Sequence, residues 1–339
     1  MTTTTVFVSG ANGFIAQHTV QQLLQSGYKV IGSVRSAEKG EKLKKVLNSD
    51  KFSYVIIPNI ADVGAFDKVL KENKDITVFL HIASPFRFNI ESTEKDILIP
   101  AIEGTRNVLT SIKENAPQIT RVVVTSSDAA ARENDDKNPN LTLDENSWNN
   151  ATYDEAKKDP VSAYLGSKGL AEKLAWNFVK TEKVNFKLAT VLPSYTFGPQ
   201  IADELVLADL NSSSKVFEEI LTSTPESVGL YTHNGSFIDV RDAAKAHILA
   251  FEKEDAVNKR LLLSSGRFTS QTIRDILVKK FPQLKGKIFE GVPGEDVEEI
   301  KQMPKLDYSQ TEKVLGIKYR PLEVSSVDAV SQLLRVRGQ

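Results

Sequence analysis

A β-branched and aromatic run, Thr4-Thr5-Val6-Phe7-Val8, stops at Ser9-Gly10-Ala11-Asn12-Gly13-Phe14-Ile15-Ala16, and a helix is expected from there to about Gly27. This order of strand, glycine turn and helix constrains the fold more than any other feature of the chain. Gly10 permits a tight turn. Gly13 lets backbone approach a phosphate at the helix N-terminus, where free N–H groups and the helix dipole favour anions. Asn12, Phe14 and Ile15 fill out that turn, and Ala16 takes the third small position, where the helix packs on the strand. A glycine pair in isolation signals only a turn. Set between a first strand and a first helix, it predicts a dinucleotide-binding α/β domain.

The alternation continues. A second strand, Lys29–Val34, ends at Arg35-Ser36-Ala37-Glu38-Lys39. An Asp or Glu at this place would accept hydrogen bonds from a ribose 2′-hydroxyl. Arg35 and Lys39 instead suit a 2′-phosphate, which points to NADPH. The competing reading is a solvated charge run opening the next helix. Phe52–Ile57 reads as a third strand, followed by Pro58-Asn59-Ile60 as an adenine-side loop. A fourth, Asp75–His81, ends in Ile82-Ala83-Ser84-Pro85, where Ala83 and Ser84 are small enough for a cofactor to cross the sheet. His81 reads as structural or cofactor-adjacent rather than catalytic. Phe86 and Phe88 line an apolar pocket or pack in the core. A helix from near Lys95 to Asn115 leads to a buried strand, Arg121–Thr125, closed by Ser126-Ser127. Open α/β sheets hold ligands beyond the carboxyl ends of their strands, so a serine hydroxyl there can donate to a substrate carbonyl.

Two tyrosine–lysine pairs follow at helical spacing, Tyr153/Lys157 and Tyr164/Lys168. Residues four apart share a helix face. An ammonium beside a phenol favours the phenolate and lowers its pKa from about 10, so such a pair can protonate an oxygen that is becoming negative. A carbonyl receiving hydride needs that proton. The first pair lies in a polar segment that Pro160 cuts short, because the residue before a proline is pushed out of helical geometry. The second opens a long helix with Leu170, Leu174, Phe178 and Val179 on one stripe. The second pair is therefore the catalytic candidate.

Composition narrows the class. The 339 residues carry a formal net charge of -1, which gives no electrostatic case for nucleic acid or anionic membrane. With zero cysteines, disulfides, thiolate metal sites and a cysteine nucleophile are excluded, and no metal centre is expected. No leader or apolar run of membrane length appears, so a cytoplasmic protein is expected.

Residues 1–192 read as an NADP(H)-binding Rossmann-type domain with a doubly wound parallel sheet, and 128–159 as a loop insertion within it. A sixth strand, Lys187–Val191, is closed by Leu192-Pro193-Ser194-Tyr195-Thr196-Phe197-Gly198-Pro199. Beyond it strict alternation fades. Helices near Ser213–Leu221, Val240–Phe251, Ser270–Lys280 and Ser325–Arg335, interleaved with short apolar strands, make 193–339 a smaller, mostly helical substrate-binding lobe interleaved with returns to the core.

Gly10-x-x-Gly13-x-x-Ala16, Ser127 and Tyr164-x-x-x-Lys168 together resemble the extended short-chain dehydrogenases/reductases, and Phe237–His247 resembles the segment that ties their lobe to the cofactor domain. Val8–Ala16, His81–Phe86 and Thr196–Gln200 are similar to the dihydroflavonol-reductase-like branch, and within it to the yeast-type NADPH-dependent methylglyoxal (3-methylbutanal) reductases. The resemblance implies a catalytic set on Ser127, Tyr164 and Lys168, 2′-phosphate binding at Arg35 and Lys39, and nicotinamide contacts around Pro193. It implies NADPH-dependent reduction of aldehydes, ketones and dicarbonyls by a cytosolic monomer or homodimer. Asp128 stands where relatives often carry an aromatic residue, and Asn59 where they usually carry an Asp facing adenine. Asp128 and Tyr195 join Phe86 and Phe88 as the expected substrate pocket. A carboxylate at the pocket mouth should repel keto acids, unless Asp128 is a solvated loop residue. Two rival functions share these motifs: a nucleotide-sugar epimerase or dehydratase, and a non-catalytic NADP(H)-binding regulator. The first would recycle its cofactor and usually prefer NAD; the second has no need of a serine, tyrosine and lysine in register.

Overall fold

The computed structural model describes residues 4–84, 91–132, 138–206, 210–227 and 232–338. Its first half is built from strands β1 (Thr5–Ser9), β2 (Lys29–Val34), β3 (Phe52–Ile56), β4 (Ile76–His81) and β5 (Arg121–Thr125), joined by helices α1 (Phe14–Gln25), α2 (Ala37–Leu47), α3 (Asp67–Glu72) and α4 (Ile99–Asn115). Next come β6 (Thr142–Leu143), α5 (Tyr153–Ala156), α6 (Pro160–Thr181), β7 (Lys187–Pro193), β8 (Tyr195–Phe197) and α7 (Ser212–Thr222). The chain finishes with β9 (Asn234–Asp239), α8 (Val240–Glu252), β10 (Arg260–Leu263), β11 (Gly266–Thr269), α9 (Ser270–Lys280), α10 (Val297–Gln302), β12 (Lys305–Leu306), α11 (Ser309–Leu315) and α12 (Leu322–Val336).

The main sheet has seven strands in the order β10-β7-β5-β4-β1-β2-β3, every pair parallel. The order reverses between β1 and β4, the topological switch point at which open α/β sheets bind dinucleotides. Both faces are covered, which is why β1 is buried at every position rather than alternating. Val6 and Val8 point to one layer with α1 and α8, while Phe7 points to the other and stacks on Phe79 at 4.7 Å. Polar and small residues at the strand ends Ser9, His81, Thr125 and Pro193 therefore arrive at one edge of the sheet.

The lobe is more than helical. β11, β9 and β8 form a three-stranded sheet under α7, α9 and α12, with Phe197, Phe217, Phe237 and Phe268 in its core. β10 returns to the main sheet and β12 pairs with β6, so residues beyond 193 serve both bodies. β7 runs on to Pro193, two residues past the sequence expectation, because β10 pairs with it through Leu263. The expected helix from Lys95 begins instead with a π-helical turn, Glu94–Leu98. Among the described residues no helix is long and apolar enough to cross a membrane.

Candidate active site

The helix α6 carries the central side chains. Pro160 occupies its first turn, where the missing N–H costs nothing, and the Asp159 carboxylate accepts from the backbone N–H groups of Val161 and Ser162, each at 2.9 Å. One face is cut down to glycine. A Cβ on Gly166 would lie 2.5 Å from the Ala156 Cβ, and one on Gly169 3.1 Å from the Asn149 Cβ, so Asn149 and Ala156 seat directly on this helix. Tyr164, Lys168 and Glu172 follow one another at one-turn spacing on the face toward the strand ends.

Ser127 ends the turn after β5. Its Oγ accepts from the Ala129 N–H at 3.2 Å, capping the 3-10 turn Asp128–Ala130, and lies 3.1 Å from Asp128 Oδ1 and 3.5 Å from the Pro193 carbonyl. The same side chain hydrogen-bonds the Tyr164 phenol. Lys168 donates to Ser84 Oγ at 2.6 Å, and its Nζ stands 5.6 Å from the Tyr164 ring centroid. The three candidate catalytic residues, with Ser84 and Pro193, thus converge at the carboxyl ends of β4, β5 and β7.

The electrostatics differ from the expectation that Lys168 lowers the Tyr164 pKa. Burial raises the phenol above its ordinary value; the Ser127 hydrogen bond opposes this, Asp128 adds to it and Arg132 acts against it. Removal from water disfavours phenolate more strongly than its cationic surroundings favour it. The result is a phenol that stays protonated at neutral pH, the state a proton donor must hold. Burial also lowers Lys168, to about 8.

Asp128 is neither at an exposed mouth nor a solvated loop residue. It is buried beside Ser127, and its charge acts on both Tyr164 and Tyr195. Tyr195 is half-buried and packs edge-on against Phe268 at 5.3 Å. Phe86 and Phe88 lie outside the described residues. Arg132, whose charge also reaches both tyrosines, carries no motif that would have singled it out in the sequence.

On the nucleotide side, Gly10 has φ +64°, and a Cβ there would sit 3.0 Å from the Ala83 Cα; only glycine closes β1 onto β4 this tightly. Its N–H donates to Ser33 Oγ at 3.0 Å. Among the described residues no side chain caps α1, leaving the first-turn N–H groups of Phe14 and Ile15 for an anion. Asn12 has its carbonyl engaged by Gln17 Nε2 at 2.7 Å. These residues fit a pyrophosphate cradle. Arg35 and Lys39 are exposed on either side of Ser36, the N-cap of α2. Asn59 folds its side chain onto its own loop, accepting from Ala61 N–H and donating to Asp62, while Ile60 packs under Gly104. His81 is buried: its Nδ1 meets Ser9 Oγ at 2.9 Å, and Ser9 Oγ accepts from Ala83 N–H at 3.0 Å. Burial first, then the Lys168 charge, lowers this imidazole to about 4, so it is neutral and holds the β1–β4 junction.

A fold of this topology, with its glycine cradle at the switch point and a serine, tyrosine and lysine beyond the strand ends, defines a nucleotide-dependent enzyme class. The model of the NAD dependent epimerase/dehydratase family matches residues 6–263, and the chain belongs to that family. It is 46% identical to a putative NADPH-dependent methylglyoxal reductase of Candida albicans, over 98% of each chain. It is likewise 46% identical to the NADPH-dependent methylglyoxal reductase of Saccharomyces cerevisiae, over 98% of this chain and 99% of that one. A crystal structure of Gre2 from Candida albicans in complex with NADPH superposes with a TM-score of 0.95, covering 98% of this chain and 99% of that chain.

Proposed function

We propose that this chain is an NADPH-dependent reductase of aldehydes, ketones and dicarbonyls. The observation that carries the reading is the convergence of Ser127, Tyr164 and Lys168 at one strand edge, opposite a nucleotide cradle flanked by the exposed cations Arg35 and Lys39. The methylglyoxal reductases it resembles support the same chemistry.

NADPH, when bound, supplies the hydride. The chain's own residues do the rest. The first turn of α1, with Gly10 and Gly13, holds the pyrophosphate, Arg35 and Lys39 hold the 2′-phosphate, and Asn59 and Ile60 border the adenine. Ala83, Ser84 and Pro193 line the nicotinamide end. Ser127 Oγ donates to the carbonyl oxygen, and the Tyr164 Oη delivers the proton that completes the alcohol. Lys168 holds its ammonium beside the developing negative oxygen and reaches the ribose hydroxyls in place of Ser84. Tyr195 and Asp128 border the substrate, with Arg132 facing both tyrosines.

An epimerase or dehydratase of the same family would return its cofactor unchanged, so net consumption separates the readings. NADPH absorbance should fall with methylglyoxal, 3-methylbutanal or an aryl ketone, with the alcohol accumulating in equal amount. Absence of net consumption with all three, alongside turnover of a nucleotide sugar, would overturn the proposal. A cytosolic monomer or homodimer fits this reading and the cysteine-free composition.

A further inference from the structure

Eight residues past Tyr164, at the next one-turn step after Lys168, α6 buries a carboxylate that the chemistry above does not use. The Glu172 side chain has no exposed surface, and its partner Arg260, from β10, is 8% exposed. Glu172 Oε1 accepts from Thr190 Oγ1 at 2.7 Å, Arg260 Nε at 2.8 Å and Trp176 Nε1 at 3.2 Å. Its Oε2 accepts from Ser126 Oγ at 2.7 Å and from Arg260 Nη2 at 3.3 Å. One carboxylate thus joins α6, the end of β5, β7 and β10, and Ser126 is the immediate neighbour of Ser127.

Arg260 extends the junction. Its guanidinium donates to the carbonyls of Ser147 at 2.5 Å, Glu145 at 2.8 Å and Ala130 at 3.4 Å, and its Cζ stands over the Trp148 ring, 3.6 Å from the centroid. Ala130 closes the turn that Ser127 caps. From the other side, the Asn149 N–H donates to the Ala130 carbonyl at 2.7 Å, and Lys173 Nζ donates to the Asn149 carbonyl at 2.6 Å. Ser127 sits on that turn, Tyr164 sits on α6, and this pair of charges is where the two elements are pinned together.

We propose that Glu172 and Arg260 are positioning residues for the carbonyl reduction: they set the distance between the Ser127 hydroxyl and the Tyr164 phenol. Stability does not explain them, since an ion pair taken fully out of water is often replaceable by apolar side chains of similar volume at no loss. Direction does. N–H and O–H donors aimed at oxygen lone pairs fix register to a fraction of an ångström, which an apolar patch cannot, and a displacement of about 1 Å between reacting groups costs on the order of 10²-fold in rate. The inference rests on the reductase reading for its rate effects but on the hydrogen bonds alone for its structural one.

The test compares Glu172→Ala, Glu172→Gln and the apolar pair Glu172→Met with Arg260→Met, in the full-length enzyme. Rates are taken per NADPH-binding site, titrated by cofactor fluorescence, with methylglyoxal as substrate. Glu172→Ala and the apolar pair should lose roughly ten- to a hundredfold in kcat, with the NADPH Kd unchanged within about threefold. Glu172→Gln, which keeps the acceptor shared by Thr190, Trp176 and Arg260 Nε, should recover most of that loss. Amide hydrogen exchange at 126–132 should rise in Glu172→Ala and in the apolar pair while exchange in β1 and β4 stays as in the wild type. An apolar pair that binds NADPH and turns over at the wild-type rate would overturn the proposal, as would unchanged exchange at 126–132. Should the wild type consume no NADPH with any carbonyl, the reductase reading fails by itself, and the exchange comparison still decides whether the pair pins the turn.

Discussion

Tyr153/Lys157 and Tyr164/Lys168 have the same spacing and nearly the same ammonium-to-ring distance, 5.3 and 5.6 Å. Their hydrogen-bond and charge partners differ. Tyr153 donates to Glu94 Oε1 at 3.0 Å, and Lys157 pairs with the exposed Asp154. Tyr164 meets Ser127, and Lys168 is buried against Ser84 at the strand edge. Glu94 raises the Tyr153 phenol as well, after burial, so a raised phenol is not the distinction either. The lesson is that a motif's spacing supplies only adjacency. Under the proposed function the pair must also reach the strand ends, and of these two pairs it is the one on α6 that meets Ser127 and Ser84 there.

The sharpest way to break this comparison is to delete both hydroxyls in turn. Tyr164→Phe should lower kcat by roughly 10³-fold, in the range of a lost general acid, with NADPH still bound. Tyr153→Phe should stay within about twofold of wild type, because the Tyr153 hydroxyl is held by Glu94 and not by Ser127 at the strand ends. Equal effects would erase the distinction.

Arg35, an exposed cation just past β2, offers a second comparison with Lys157. Replacing Arg35 with Ala should weaken NADPH about ten- to a hundredfold, the scale of a charge-assisted hydrogen bond, and leave NADH nearly unchanged. Fluorescence titration of both cofactors checks it; equal weakening would remove the 2′-phosphate from this position.

The lysines should part again on the pH axis. Lys168 gives up its proton near pH 8, below its ordinary value. The facing His81 is neutral there, so the ammonium of Lys168 is what is lost. The sign follows: kcat/KM should be full below pH 8 and fall as pH rises through it, about tenfold per unit beyond the pKa. Lys157→Ala should leave that limb in place. A flat profile to pH 10 would deny Lys168 its role.

The smallest effect concerns Asp128. The isosteric Asp128→Asn keeps an acceptor for Ser127 while removing a buried negative charge, so rates with keto acids should rise by about threefold relative to methylglyoxal. An unchanged ratio would free Asp128 from substrate choice.

Much of this was legible in the sequence wherever chemistry demands a residue type at a short spacing. Gly10 marks the turn because only glycine tolerates its φ and the approach of Ala83, while a Cβ on Gly13 would crowd the Gly10 carbonyl oxygen at 3.2 Å. Tyr164 and Lys168 are one turn apart, and Pro160 separates their helix from the segment that carries Tyr153 and Lys157. What stayed hidden depends on distance in space. Glu172 and Arg260 are 88 residues apart, and nothing local announces that they meet. The direction of the Tyr164 shift is set by burial, which no helical spacing reports. Short apolar strands are expected in the lobe, but their pairing into one sheet is not, because β8, β9 and β11 are three to six residues long and distant in sequence.

The central claim is that the Tyr164 and Ser127 hydroxyls converge on one substrate oxygen. A crystal structure of the protein with NADP⁺ and a bound alcohol product reads it directly. The alcohol oxygen should lie about 2.6–3.2 Å from both Tyr164 Oη and Ser127 Oγ. An alcohol oxygen out of reach of the Tyr164 phenol would contradict it.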